Sequence, residues 1–255
     1  MCTLLFAWQH HPRWSLIVAG NRDEMRSRAT APAGFWRGTG VFGGRDLQAG
    51  GTWMGLSRAG RFAAVTNVRE PPSGEGPLQS RGALAAAFLT GALAPEAHAR
   101  AVVGAENAVG PYNLLVGDRG SLWCASNREG GVQEVSPGVH GLSNAALNTP
   151  WPKVRRGRDL LGTWLAGGGD DVDGLFLALA DREIPGDDEL PDTGFGLVRE
   201  RMLAPIFIDW SLYGTRSSTV LLVGRDGGVH YEERRFEAHA REVGRTICRW
   251  RLDPG

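Results

Sequence analysis

Neither sign of charge is in excess in this chain of 255 residues, where 28 Lys and Arg balance 28 Asp and Glu. That balance argues against a nucleic-acid partner, which would require a basic face. Lysine is almost missing: Lys153 stands alone, and the many arginines are scattered rather than striped. No apolar run approaches the ~20 residues of a membrane span, so no integral membrane segment is expected. The N-terminus also lacks a basic segment followed by a cleavable apolar core, which makes the cytoplasm the expected compartment. Cysteine is scarce. Cys2, Cys124 and Cys248 are odd in number and widely spaced, which fits neither a disulfide framework nor a zinc site. Cys124 in SLWCAS and Cys248 in TICRW read as packing residues. The six histidines, His10, His11, His98, His140, His230 and His239, make no ligand constellation by spacing, so no metal is expected.

What the chain does have is a cysteine at position 2. Removal of Met1, which the small following side chain permits, would leave a thiol and a free α-amine on one residue. An α-amine titrates near ~8 and a thiol near ~8.5, so such an amine can take the thiol proton directly or through one water. Position alone favours a plainer reading in which Cys2 merely begins a strand. The strings that follow shift the balance toward chemistry.

Apolar runs and turn signals give the order of elements. Thr3–Gln9 and Trp14–Gly20 read as a hairpin joined by His10-His11-Pro12-Arg13. Gly51–Ser57 and Arg61–Val68 read as a second hairpin, and Tyr112–Gly117 with Leu122–Asn127 as a third. Gly138–Asn144 follows, and Ser217–Val223 with Val229–Arg235 closes the chain around Arg225-Asp226-Gly227-Gly228. Helical spacing covers Leu78–Leu93, Pro95–Gly104, Val154–Ala166 and Val172–Asp181. Residues 183–196 are acidic and rich in Pro and Gly, as in an exposed loop. Hairpins separated by helix pairs, with strands apolar on both faces, point to an α+β fold. It is a four-layer αββα sandwich of two antiparallel sheets flanked by helices, spanning 1–255 as one domain.

Several polar strings end these apolar runs. Asn21-Arg22-Asp23-Glu24 follows the second strand, either as a solvated turn or as a carboxylate that orients a terminal ammonium beside an arginine that favours a thiolate. Phe42-Gly43-Gly44-Arg45-Asp46 and Gly50-Gly51-Thr52-Trp53-Met54-Gly55 concentrate glycine where backbone turns sharply or approaches something closely. No strand-turn-helix unit surrounds them, so a dinucleotide site is not implied. Asn67 in Thr66-Asn67-Val68-Arg69 and Asn144 in Leu142-Ser143-Asn144 could donate to an oxyanion or simply form turns. Arg216 in Gly214-Thr215-Arg216-Ser217-Ser218-Thr219 could clamp a carboxylate or phosphate.

Together these strings resemble the NRDE family, also called the transport-and-Golgi-organisation type. The resemblance rests on the Met-Cys start, NRDE at 21–24, GGRD at 43–46, GGTWMG at 50–55, TNVR at 66–69, the LSN to PWPK segment ending at Lys153, and GTRSST at 214–219. It implies a fold similar to N-terminal-nucleophile hydrolases and, more distantly, to the bile-salt hydrolases and penicillin V acylases. Carried onto this sequence, the matching site residues are Cys2, Arg22, Asp23, Asn67, Asn144 and Arg216. Arg22 and Asp23 are adjacent here, whereas two residues separate the pair in those acylases, so one of the two points elsewhere.

Two functions follow from the resemblance. One is an N-terminal-cysteine amidohydrolase acting on a linear C–N bond of a small-molecule acyl amide, with no cofactor required. The other is a haem or acyl-CoA binding or trafficking protein linked with lipid metabolism, in which Trp8, Trp14, Trp36 and Trp53 could wall an apolar pocket.

Overall fold

The computed structural model of the protein describes residues 2–71, 79–105 and 109–254. In chain order its strands are β1 (Cys2–Trp8), β2 (Trp14–Met25), β3 (Thr30–Phe35), β4 (Val41–Asp46), β5 (Met54–Ser57), β6 (Phe62–Asn67), β7 (Tyr112–Gly117), β8 (Leu122–Ser126), β9 (Val132–Glu134), β10 (Gly138–Leu142), β11 (Tyr213–Gly224), β12 (Gly228–Phe236) and β13 (Glu242–Arg251). The α-helices are α1 (Arg81–Thr90), α2 (Pro95–Gly104), α3 (Pro152–Ala166), α4 (Val172–Leu179) and α5 (Leu197–Leu203). One sheet has the order β10-β1-β2-β11-β12-β13 and the other β3-β4-β5-β6-β7-β8-β9. Every pairing between named strands is antiparallel.

Side-chain alternation explains the layering. Leu4, Phe6 and Trp8 of β1 join Leu16 and Val18 of β2 in a core between the sheets, whereas Leu5, Ala7, Ile17 and Ala19 face α3 and α4. Both faces of these strands are buried, so their sequences are continuously apolar instead of alternating. On the second sheet, Val41, Ala63 and Val65 pack against Leu84, Phe88 and Leu89 of α1. The result is the αββα sandwich. Helix α3 lies close on β1 because Gly157 has no side chain; a Cβ there would come within 2.4 Å of Leu5. Among the described residues, no helix is long and apolar enough to cross a membrane.

Several boundaries differ from those the residue pattern predicts. Strand β2 continues through NRDE to Met25, and β11 begins at Tyr213, because each supplies the other's ladder over this length. Polar identity had hidden those strand ends. Strand β3 escaped because Pro32 lies inside it, a residue tolerated at a sheet edge, where β3 sits. Strand β13 is also an edge, with only alternate residues partly buried. Helix α5 forms where the residue pattern predicts no element, and Leu78 of the expected 78–93 helix lies outside the described residues. Residues 183–196 are largely exposed, with a short 3₁₀ turn at Asp187–Glu189.

Candidate active site

Cys2 begins β1, directly opposite Arg22 of β2. Termini ordinarily fray, but this one is held: Ser143 Oγ donates to the Cys2 carbonyl oxygen at 3.3 Å and lies 3.4 Å from Thr3 Oγ1. The period of two along β2 sends Arg22 toward the second sheet and Asn21 and Asp23 toward the helices. Adjacency of Arg22 and Asp23 therefore separates their directions. Both still border, with Cys2, a cavity of about 490 Å³ whose far wall includes Trp53, Asn67 and Arg81.

Arg22 is buried on the Trp53 indole, its guanidinium carbon 4.4 Å from the ring centroid. One nitrogen, Nη2, is 3.9 Å from Glu24 and 4.0 Å from Asp46. Among the described residues, Nη1 has no hydrogen-bond partner. Asp46 in turn accepts from Arg28 Nε at 2.8 Å. Its carboxyl lies below the ordinary range: burial raises it, but backbone N–H donation from Ala49 and Gln48 and the Arg28 contact outweigh burial.

The glycine strings build the wall behind Arg22. A Cβ on Gly44 would lie 2.2 Å from the Trp53 ring, so only glycine leaves room for the indole. Gly51, at φ +78°, has no room for a side chain, since a Cβ there would lie 2.3 Å from the Gly82 carbonyl at the start of α1, where Ser80 caps the helix by accepting from Gly82 N–H. Gly44→Ala is expected to displace Trp53 and to lower stability by about 1–3 kcal/mol. Urea denaturation checks this, and in a Trp53→Ala background the same substitution should have little effect.

Asp23 accepts from Thr215 Oγ1 at 2.7 Å. Burial pushes its carboxyl up, opposed by the positive chain terminus, Lys153, Thr215 and Arg22. Burial likewise pushes the Cys2 thiol up; the chain terminus and Arg22 pull it down, and the Asp23 carboxylate reinforces the rise while the Asp23 backbone N–H opposes it. The net direction opposes the expectation that Arg22 keeps a thiolate ionised. A neutral thiol must lose its proton before it can attack, so this site needs a base. Buried Cys124 is pushed up to about 12 by burial alone, as suits a packing residue.

The two asparagines are joined but not equivalent. Asn144 is fully buried, and its Nδ2 donates to Asn67 O at 3.0 Å and Asn67 Oδ1 at 3.2 Å. With both amide hydrogens so engaged, it orients Asn67 from behind. Asn67 reaches the cavity, and its own Nδ2 donates to the adjacent Val68 O at 3.2 Å. Asn21 is structural: Nδ2 donates to Leu179 O and Ile206 O at 2.8 and 2.9 Å, and Oδ1 accepts from Ser218.

Arg216 is not brought to the cavity. It occupies the bulge between Thr215↔Asp23 and Ser217↔Arg22, and Nη1 donates to the carbonyls of Met25, Arg26 and Arg28 at 3.0, 2.9 and 3.1 Å. Its guanidinium ties down the turn after β2. His11 also serves a turn, its Nδ1 accepting the Arg13 and Trp14 backbone N–H groups at 3.2 Å. The four expected pocket tryptophans are divided among three cores, and only Trp53 borders the cavity. Among the described residues, no three His, Cys, Asp or Glu side chains gather as metal ligands.

Residue reading missed Lys153 as a member of this neighbourhood. It is buried in the first turn of α3, among the charges of Arg69, Asp23, Cys2 and Glu200. Its being the chain's sole lysine was the available signal.

Two face-to-face antiparallel sheets between helical layers, with Cys2 paired into one of them, form the N-terminal-nucleophile hydrolase fold. A Caenorhabditis elegans N-acylethanolamine-hydrolyzing acid amidase ortholog superposes with a TM-score of 0.53 at 11% identity, covering 87% of this chain and 92% of that one. The C2A mutant of the conjugated bile acid hydrolase from Clostridium perfringens gives 0.52 at 11% identity, covering 99% and 92%. At the sequence level, residues 1–238 match the family described as Transport and Golgi organisation 2. The chain belongs to that family. It is 32% identical to the Bos taurus Transport and Golgi organization protein 2 homolog, covering 98% of this chain and 96% of the relative. With Drosophila melanogaster Transport and Golgi organization protein 2 the identity is 26%, covering 91% of each.

Proposed function

We propose that this protein is an N-terminal-cysteine amidohydrolase that cleaves a linear C–N bond of a small acyl amide. One observation carries the reading: Cys2 is fixed at a strand end on a cavity that it shares with Arg22, Asp23 and Asn67. Removal of Met1 would leave the Cys2 α-amine beside its thiol. The thiol proton passes to that amine, directly or through a water, and sulfur adds to the substrate carbonyl carbon. Asn67 donates to the developing oxyanion while Asn144 holds it in place. Collapse expels the amine, which takes a proton, and water then releases the carboxylic acid and restores the thiol.

The named activities of the two fold neighbours, an acid amidase and a conjugated bile acid hydrolase, support this class. So does the variant chosen for the second, which lacks the cysteine at its second position. The charged lining of the cavity favours a polar amide over a haem or acyl chain. Three unpaired cysteines favour a reducing compartment, and we place the activity in the cytoplasm.

Intact mass of protein purified from cells should show loss of Met1. A panel of N-acyl amides should then give time-dependent amine release that Cys2→Ala reduces at least 10³-fold, an order-of-magnitude expectation for a lost covalent route. Retained Met1, or release unchanged by Cys2→Ala, overturns the proposal.

A further inference from the structure

Lys153 is placed where a charged amine is hard to keep. Its side chain is buried at the second position of α3, where the helix dipole presents partial positive charge to an ammonium. Among the described residues, Nζ has no hydrogen-bond partner. Arg69 adds a second buried cation. Asp23, Cys2 and Glu200 act in the other direction, and the balance brings the amine down to about 7, burial being the largest cause.

The geometry makes this more than an isolated buried lysine. Asp23 projects from β2 into the layer between the sheet and the helices, the same layer into which α3 presents Lys153. Elements packed around the pair contribute Cys2 from β1, Arg69 beyond β6, Glu200 from α5 and Tyr213 from β11. Glu200 is engaged with Arg69 at 2.5 Å, so it is not available to hold the lysine proton. On its far side Lys153 borders a second cavity, of about 450 Å³, with Arg156, Asp159, Asp181 and Glu189 in its wall.

We propose that the charge of Lys153, set against that of Asp23 through space, governs the pH at which the Cys2 thiol becomes nucleophilic. Lys153 is thus a positioning residue that acts through charge. This inference deepens the amidohydrolase reading and rests on it for its role in turnover. The proton balance is simple. When the amine is neutral it accepts one proton, and the resulting ammonium, partly offset by the charge of the Asp23 carboxylate, favours the thiolate. When the amine gives the proton up, the thiol loses that support. By reciprocity the thiolate holds the proton on Lys153, so the observed midpoints belong to the coupled groups.

A single lysine makes the test direct and free of substrate. Protein labelled with ¹³Cε-lysine gives one lysine resonance, whose midpoint is expected near 7 and lower still in Asp23→Asn and in Cys2→Ala. Iodoacetamide labelling of Cys2 against pH supplies the second readout. Lys153→Met should move the profile to higher pH, and Lys153→Arg, which fixes the charge, should move it to lower pH. A purely structural lysine would not produce opposite shifts. A wild-type midpoint in the ordinary lysine range, or superimposable profiles for the two folded variants, overturns the proposal. Should either variant fail to fold, the wild-type resonance decides. A Lys153 midpoint near 7 with opposite shifts in the two variants, but no amine release from any amide, would refute the hydrolase reading and leave the charge coupling standing.

Discussion

Glu200→Ala is expected to destabilise the fold by about 3–5 kcal/mol, because it leaves the Arg69 guanidinium buried without its counter-charge. Arg69 Nη1 meets Glu200 at 2.5 Å with both side chains buried, and Nη2 donates to Leu203 O at 3.3 Å. The other Glu200 oxygen accepts from Thr193 N–H at 3.2 Å and from its hydroxyl. The Arg69 backbone N–H donates to Asn144 O at 2.7 Å, and its guanidinium lies 4.7 Å from the Trp151 centroid. One pair thus ties α5 and the start of α3 to the strand end that bears Asn67. Removing both charges is a different matter. Arg69→Met with Glu200→Leu should be close to neutral, since desolvation of the pair offsets much of its attraction. Urea denaturation of the single and double variants checks both expectations, and a single variant within 1 kcal/mol of wild type would show that water reaches Arg69, that threshold being about the smallest value expected for a buried unpaired group.

Lys153→Met should have the opposite sign. In the folded protein the amine lies at about 7, whereas in the unfolded chain it returns to about 10.4. Between these values the unfolded chain binds a proton that the folded protein does not, so this group makes stability rise with pH through that window. Below the window both states are protonated and the full cost of a buried ammonium is present. Replacing it with a methionine of similar length should therefore stabilise the fold at pH 6, by about 1–4 kcal/mol. The difference between variant and wild type should shrink toward pH 10. Denaturation midpoints measured across this range supply the check; a difference independent of pH would assign the effect to packing.

Much of this protein is legible in its residues. Cys2 announces itself by position, and the apolar runs from Thr3 to Gln9 and from Trp14 to Gly20 predict a hairpin, because continuous burial on both faces leaves a continuous apolar string. The strings NRDE, GGRD, GTWMG and TNVR could be recognised, but what each residue does could not. Alternation along β2 follows from covalent geometry, yet whether Arg22 or Asp23 meets the second sheet depends on register with β1 and β11. Arg216 reads as a ligand clamp in the sequence, but the bulge at its position turns it toward three carbonyls. Asn67 and Asn144 look alike in sequence; only packing puts one on the cavity and the other behind it. Lys153 stands more than a hundred residues from Cys2 and Asp23, and its tuning comes from burial and from charges on four other segments. Local sequence determined the strands, the helices and the candidate nucleophile, because those depend on neighbouring residues. The tertiary structure decided the partners of each charge, because electrostatics acts through space and burial is a property of the assembled layers.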